Sequence, residues 1–223
     1  MIRALFLAFA QLSDPASRRV VWIAVLSALA AFTLLAGGVW WALFHTALTG
    51  YAWVDWTLDL LGGLAVLVVA WVLFPATVGM VSSFFLEEVV NAVERRHYPR
   101  LPPARKTGIM EELATALRFF AVVVLVNLLA LPLYLAVPGL NILVFYTVNG
   151  YLLGREYFEM VALRRLDRKD VGFLRRARPL KPFLAGVVIA FLSTIPFVNL
   201  LVPVIASAFM VHVFQSMGGA SRP

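Results

Sequence analysis

The sequence predicts an all-α integral membrane protein with two long transmembrane helices and two re-entrant helical hairpins that penetrate the bilayer only partway. Three observations support this fold class: the composition, the lengths of the uncharged segments and the positions of the basic residues. The chain has 223 residues, of which 62% are hydrophobic and 14% are charged, and its mean hydropathy is +0.89. A water-soluble domain with that composition would not stay in solution, so the chain is expected to lie in a membrane.

The amino-terminal residues 1–14 predict a short interfacial helix. A signal peptide is the alternative, because Arg3 precedes a short apolar stretch. That stretch, residues 4–10, is at the lower limit for the apolar region of a signal peptide. Arg18 and Arg19 follow it, where a translocated segment would avoid positive charge, so the interfacial helix is preferred.

Two uncharged segments predict the full spans. Residues 20–44 contain no charged residue, and this length exceeds the roughly 20 residues that a helix needs to cross a bilayer. The first span is therefore predicted at residues 18–44. Residues 60–86 are also uncharged and predict a second span at residues 58–97, which includes a helical cytoplasmic extension, EEVVNAVERRH, that ends before Pro99.

Prolines divide the third uncharged segment, residues 119–154, into two short arms. Pro132 and Pro138 leave 13 residues before them and 16 after them. A helix of about 13 residues reaches roughly 20 Å, whereas the hydrocarbon core is about 30 Å thick. We therefore predict a re-entrant hairpin over residues 108–165, which turns round inside the membrane.

The last uncharged segment, residues 183–211, repeats this pattern. Pro196 and Pro203 leave one arm of 13 residues and one of eight, which becomes longer if it continues past His212. A second re-entrant hairpin is therefore predicted over residues 180–217.

The basic residues test these hairpins independently. Of the 19 Lys and Arg residues, three precede the first span, six lie in residues 87–118, nine in residues 155–182 and one at the carboxyl terminus. Two spans and two hairpins place all 19 on one face of the membrane, as the positive-inside rule favours, with both termini cytoplasmic. Four ordinary spans are the alternative. They would place the two turns outside, and the positive-inside rule does not exclude this because neither turn carries a charge.

Each hairpin turn carries the spacing Pro-x-x-Asn, at Pro138 and Asn141 in the first turn and at Pro196 and Asn199 in the second. A turn inside the membrane must satisfy its own backbone N–H and C=O groups, and an asparagine amide offers both donors and an acceptor. We predict that both asparagines cap the outgoing helices. A position on a permeation path is the alternative role.

Three segments resemble the CysZ-type sulfate permeases, which are grouped with the eukaryotic etoposide-induced membrane proteins. The segments are LSDPASRRVV before the first span, NGYLLGREYFEMVALRR after the first hairpin, and FLSTIPFVNLLVPVIASAFMVH near the end. The resemblance covers nearly the whole chain. It implies two long helices with two partly penetrating hairpins, homo-oligomers, and sulfate entry across the bacterial inner membrane to supply cysteine synthesis.

The resemblance also implies a sulfate-binding site before the first span. The family signature is similar to Gly-Leu-Arg-Arg, and the matching positions here are Ala16, Ser17, Arg18 and Arg19. Ala16 therefore stands where the signature has glycine, while Ser17 adds a hydroxyl donor. As an alternative, the two arginines mark topology and bind lipid phosphates.

The residues before this signature suit an anion on physical grounds. Ser13 or Asp14 can cap a helix, and Pro15 fits its first position. The positive end of that helix and its free N–H groups would then face a dianion. A carboxylate at Asp14 would weaken the attraction.

Two further arginines bracket the first hairpin. Closing the hairpin would bring Arg118 and Arg155 to the same depth at its mouth, where the pair would gather anions. Glu159 lies four residues after Arg155, so a local ion pair would reduce this effect, and a purely structural role is the alternative. The basic residues 164–181 predict a solvated or lipid-contacting loop, with electrostatic focusing of anions as the alternative.

Little in the sequence supports an enzyme. The three histidines are dispersed, there is no cysteine, and no metalloprotease, nucleophile-elbow or phosphate-loop motif occurs. We therefore predict no catalytic residue, no cofactor, no metal and no nucleic-acid partner. The expected partners are sulfate or a related oxyanion, membrane lipids and further copies of the chain. The alternatives to a sulfate permease are a non-transporting scaffold or lipid-interacting protein, and a channel for another solute.

Overall fold

The computed structural model describes residues 1–45, 51, 57, 60–65, 67–68, 74, 77–78, 80–82, 84–105, 108–136 and 138–218. All regular elements within these ranges are helical, which confirms the predicted all-helical class. The described residues between 57 and 82 are helical as well. The other helices are α1 (Ile2–Ala10), α2 (Pro15–His45), α3 (Leu86–His97), α4 (Ile109–Ala136), α5 (Asn141–Ala162), α6 (Arg168–Ala177), α7 (Leu180–Ser193), α8 (Pro196–Asn199) and α9 (Val202–Gln215).

Two of these helices are long and apolar enough to cross a membrane, judged by length and composition. The first stretch, Pro15–Trp41 in α2, has 27 residues and agrees with the span predicted at residues 18–44. The second stretch, Leu113–Tyr134 in α4, has 22 residues. Both stretches are mostly exposed, so little of their apolar surface is covered by the described part of the chain. Twelve of the 40 residues of the span predicted at residues 58–97, all of them before Phe84, lie outside the described residues.

The cytoplasmic extension of that second predicted span forms a separate helix, α3. The sequence predicts one continuous helix, but a turn at Phe84 and Phe85 precedes α3. The physical reason is the change from an all-apolar sequence to an amphipathic one, because an amphipathic helix has only one face to bury. α3 ends at His97, before Pro99, as predicted. Its buried face carries Val89, Val90 and Val93, which form the predicted apolar stripe.

The first arm of the first predicted hairpin is longer than expected. The sequence predicts that this arm, residues 119–131, ends at Pro132, but α4 continues through Pro132 to Ala136 and has 28 residues. A proline removes one backbone N–H, and membrane helices tolerate this loss because neighbouring groups compensate for it. The prediction of a 13-residue arm is therefore wrong. α5 follows with 22 residues and packs against α4.

The second predicted hairpin has short arms, as expected. α7 and α9 have 14 residues each, and a helix of that length reaches about 21 Å, less than the thickness of a bilayer core. The four-residue helix α8 lies between them. α9 continues past His212 to Gln215, which is the longer of the two predicted possibilities.

α9 forms the centre of the fold. All of its residues from Val202 to Phe214 are buried, and α1, α3, α5 and α7 pack against it. A helix that is apolar on every side is stable only where other elements cover it completely. Phe214 meets Phe158 of α5 edge to face, with 5.9 Å between the ring centroids, which is a favoured aromatic geometry.

α5 and α7 approach each other closely at three glycines. Gly150 and Gly154 of α5 face Gly186 of α7, and a Cβ atom at Gly186 would overlap the backbone of both. A Cβ atom at Gly154 would overlap the backbone of Pro182. This is the small-xxx-small arrangement that lets membrane helices gain van der Waals contact and backbone proximity.

We expect Gly186→Ala to destabilise the fold by about 1–3 kcal/mol, because the overlapping atoms belong to the backbone and cannot rotate away. The midpoint of thermal unfolding of the detergent-solubilised protein measures the effect. Gly37→Ala is the control, since, apart from the backbone of its own helix, no atom of the described residues lies within 4 Å of a Cβ at Gly37. Equal midpoints for the two variants would contradict close packing at this crossing.

Candidate functional site

The predicted anion-binding segment forms the start of α2. Asp14 caps the helix: its backbone is extended (φ −71°, ψ 136°), and the Ala16 N–H donates to Asp14 Oδ1 at 3.0 Å. Pro15 is the first helical residue, where a missing N–H costs nothing. Both features agree with the sequence. A carboxylate of the protein therefore already occupies part of the positive end of this helix.

The four signature residues do not share one environment. Ser17 is 0% exposed, and its hydroxyl has no hydrogen-bond partner among the described residues. Arg18 and Arg19 are exposed, and Ala16 is half-buried. The serine thus faces the interior of the protein, while the two arginines face outward. The structure does not bring the serine hydroxyl and the arginine side chains to one side of α2.

A cleft of about 340 Å³ adjoins this segment. Sequence reasoning missed its two arginines, Arg95 and Arg96. Asp14 lines it together with Ala92, Arg95 and Arg96 of α3. One feature of the sequence could have identified them: both are basic residues in the last turn of an amphipathic helix, where positive charge complements the helix dipole. The end of α3 therefore places two arginines in a cleft beside the carboxylate that caps α2.

Three aromatic rings join the end of α3 to α9. Tyr98 Oη lies 2.8 Å from His212 Nδ1, and the rings of His97 and His212 meet edge to face at 4.9 Å. Burial, and then the neighbouring charge of Arg96, lower the pKa of His97 below its ordinary value. His97 is consequently neutral at neutral pH and adds no charge to the arginine cluster.

Arg155 makes the local ion pair that the sequence predicts. Its Nε donates to Glu159 Oε1 at 2.8 Å, and the same oxygen lies 3.3 Å from Arg175 Nη1. Arg155 also lines a second cleft with Arg175 and Arg176. Arg118 is exposed and lines neither this cleft nor the one beside Asp14. Neither of these two clefts is therefore lined by both Arg118 and Arg155.

A buried ion pair fixes α3 to the segment between α5 and α6. Arg165 Nε and Nη2 lie 3.1 and 2.6 Å from Glu94 Oε1 and Oε2, and both side chains are less than 8% exposed. Arg164 extends the network, at 3.7 Å from Glu94 and 3.2 Å from Glu87. Arg165 also donates to the carbonyl oxygen of Pro102. This network holds Arg95 and Arg96 beside the start of α2.

The predicted asparagine caps are wrong. Asn141 is the first residue of α5, and neither it nor the N-cap residue Leu140 makes a side-chain capping bond. Asn199 is the last residue of α8, and Leu201 precedes α9. Each turn forms extra helical structure, a 3-10 turn from Pro138 to Leu140 and the helix α8 from Pro196. These extra turns move the start of the outgoing helix away from the capping position.

A family model described as "Sulfate transporter CysZ/Etoposide-induced protein 2.4" matches residues 4–203, which include the start of α2 and both proline-containing turns. The chain belongs to this family. The match confirms the resemblance drawn from the three sequence segments and identifies a transporter family rather than a family of enzymes. Neither a curated protein nor a solved structure matches the chain. Among the described residues, no group of three or more His, Asp or Glu side chains is arranged to hold a metal ion.

We expect Glu94→Gln to destabilise the protein by about 3–5 kcal/mol, because it leaves the buried Arg165 guanidinium without a counter-charge. Glu87→Gln is the matched control: Glu87 is 82% exposed, so its loss should cost less than about 1 kcal/mol. Chemical unfolding of the detergent-solubilised variants measures both effects. Similar losses for the two variants would contradict a specific role of the buried pair.

Proposed function

We propose that the chain is a sulfate permease of the bacterial inner membrane, which supplies sulfate for cysteine synthesis and acts as a homo-oligomer. Membership of the sulfate transporter family over residues 4–203 carries this proposal. The absence of a nucleotide-binding motif from the sequence favours passive or gradient-coupled passage. The arginines at the start of α2 and the end of α3 supply the positive charge that a dianion requires.

In the proposed membrane placement, α2 and the second predicted span, residues 58–97, cross the bilayer, and the two hairpins enter it partway. The 14-residue arms α7 and α9 support this for the second hairpin. For the first hairpin the support comes from α5, whose uncharged part from Asn141 to Gly154 reaches only about 21 Å before Arg155. A charged Arg155 at the membrane surface therefore limits the depth of the hairpin. With both termini cytoplasmic, all 19 basic residues then lie on one side.

Arg18 and Arg19 bind the anion in this proposal, and Arg95 and Arg96 raise the local positive potential. The buried Ser17 hydroxyl supports a path that begins here, because a buried donor without a partner costs free energy that an anion or a water molecule between the helices would recover. The methyl group of Ala16 leaves an anion less room to approach the backbone N–H groups than the glycine of the family signature would.

Arg118 and Arg155 attract anions to the mouth of the first hairpin, in a supporting role. Arg118 is exposed, so its charge is available to the solvent. Glu159 partly neutralises Arg155. These two arginines therefore raise the local anion concentration rather than form a binding site.

Uptake of labelled sulfate into proteoliposomes tests the permease directly. We expect changing both Arg18 and Arg19 to Ala to lower uptake about tenfold or more, because two charge-assisted hydrogen bonds are lost. Lys169→Ala, on the exposed side of α6, is the control and should transport like the unmodified chain. Undiminished uptake by the double variant would reject this site. No uptake by the unmodified chain would reject the permease and favour a membrane scaffold.

The cysteine-free sequence makes the proposed topology testable by single-cysteine labelling. Phe197 of α8 is 82% exposed, so a cysteine there is accessible in the isolated protein. In intact spheroplasts we expect a membrane-impermeant maleimide to label Tyr51→Cys, between the two predicted spans. The same reagent should leave Phe197→Cys and Lys169→Cys unlabelled. Labelling of Phe197→Cys from the periplasmic side would show that α7 and α9 cross completely.

A further inference from the structure

The second arginine cleft, which includes Arg155, is formed by three helices and has a volume of about 330 Å³. Arg155 comes from α5, Arg175 and Arg176 come from the end of α6, and Leu180 comes from the first turn of α7. These residues are far apart in the sequence, and they meet because α5 and α7 cross at their glycines. The cleft lies where the uncharged part of α5 ends and that of α7 begins.

The charge in this cleft exceeds what the protein itself neutralises. Glu159 is shared between Arg155 and Arg175, so one carboxylate faces two guanidinium groups. Arg176 adds a third positive charge, and its Nε donates to an uncharged group, the Gly172 carbonyl oxygen, at 3.2 Å. Guanidinium groups match the geometry of phosphate oxygens and bind them through paired hydrogen bonds. The first turn of α7 has no capping side chain and adds the positive end of a 14-residue helix.

The other side of the cleft is apolar and open. Leu180 is 69% exposed, Tyr151 is also exposed, and Phe183 is half-buried. A small inorganic anion would leave these side chains uncovered. A molecule with an anionic head and a hydrocarbon chain would pair with the arginines and also remove this apolar surface from water.

We propose that this cleft binds an anionic phospholipid, with the phosphate on Arg175 and Arg176 and the start of an acyl chain against Tyr151, Leu180 and Phe183. The proposal rests on the membrane placement given above, which puts the cleft at the depth of the lipid headgroups, and it does not depend on sulfate transport. The bound lipid would hold α6 and the start of α7 at the cytoplasmic membrane surface.

Native mass spectrometry of the full-length protein, titrated with dioctanoyl phosphatidylglycerol, tests the site. Dioctanoyl phosphatidylcholine serves as the zwitterionic comparison. We expect phosphatidylglycerol to bind more tightly, and Arg176→Gln to weaken its binding about fivefold, the worth of one arginine near an anionic surface. Leu180→Asp should also weaken binding, because it adds a negative charge and removes apolar contact. Both residues are exposed, so the variants are expected to fold.

Arg100→Gln, in the exposed turn after α3, is the matched control and should bind the lipid like the unmodified chain. Equal lipid affinity for Arg176→Gln and the unmodified chain would overturn the proposal. A second result would also overturn it: inorganic phosphate or sulfate binds in a way that depends on Arg176, but phosphatidylglycerol does not bind. The cleft would then be a site for a free oxyanion. Normal lipid binding by a protein that fails to transport sulfate would refute the permease and support the lipid site.

Discussion

Thirteen consecutive side chains of α9, from Val202 to Phe214, are buried, and four helices supply the surfaces that cover them. An apolar helix of 14 residues is too short to cross a bilayer alone. Within a bilayer, the backbone turn before α9 also needs protein around it, because its polar groups find no partner in hydrocarbon. The enclosure of α9 therefore dictates where α1, α3, α5 and α7 lie. The position of every candidate site follows from this arrangement.

Two kinds of contact complete the enclosure. At the glycine crossing, the absence of side chains lets the backbones of α5 and α7 approach each other, so dispersion contacts accumulate without a large apolar side chain. Near the cytoplasmic end, the bidentate pair of Arg165 and Glu94 fixes α3. A buried ion pair adds little net stability compared with apolar residues in the same place, but it requires the two charged groups to lie in one specific arrangement. Its contribution here is to hold the arginines of α3 beside the start of α2.

Two of the clefts that arginines line have different surroundings. The cleft beside Asp14 is open and contains a carboxylate that competes with any bound anion. Because the capping carboxylate already uses one of the N–H groups at the helix end, arginine side chains must provide most of the attraction for a dianion there. The cleft beside Arg155 combines unneutralised arginine charge with exposed apolar side chains. The difference suits the first to a hydrated anion and the second to an amphiphile.

The sequence by itself determined the features that depend on neighbouring residues: the all-helical class, the first long apolar helix, the short arms α7 and α9, the Asp14 cap and the ion pair between Arg155 and Glu159. These depend on rules that act within one or two helical turns. Tertiary structure alone decided that α4 passes through Pro132, that α9 is the core, and that Arg165, 71 residues from Glu94, is its partner. Whether a proline ends a helix, and which distant charges meet, depends on the packing of all the helices together, so no local pattern records it.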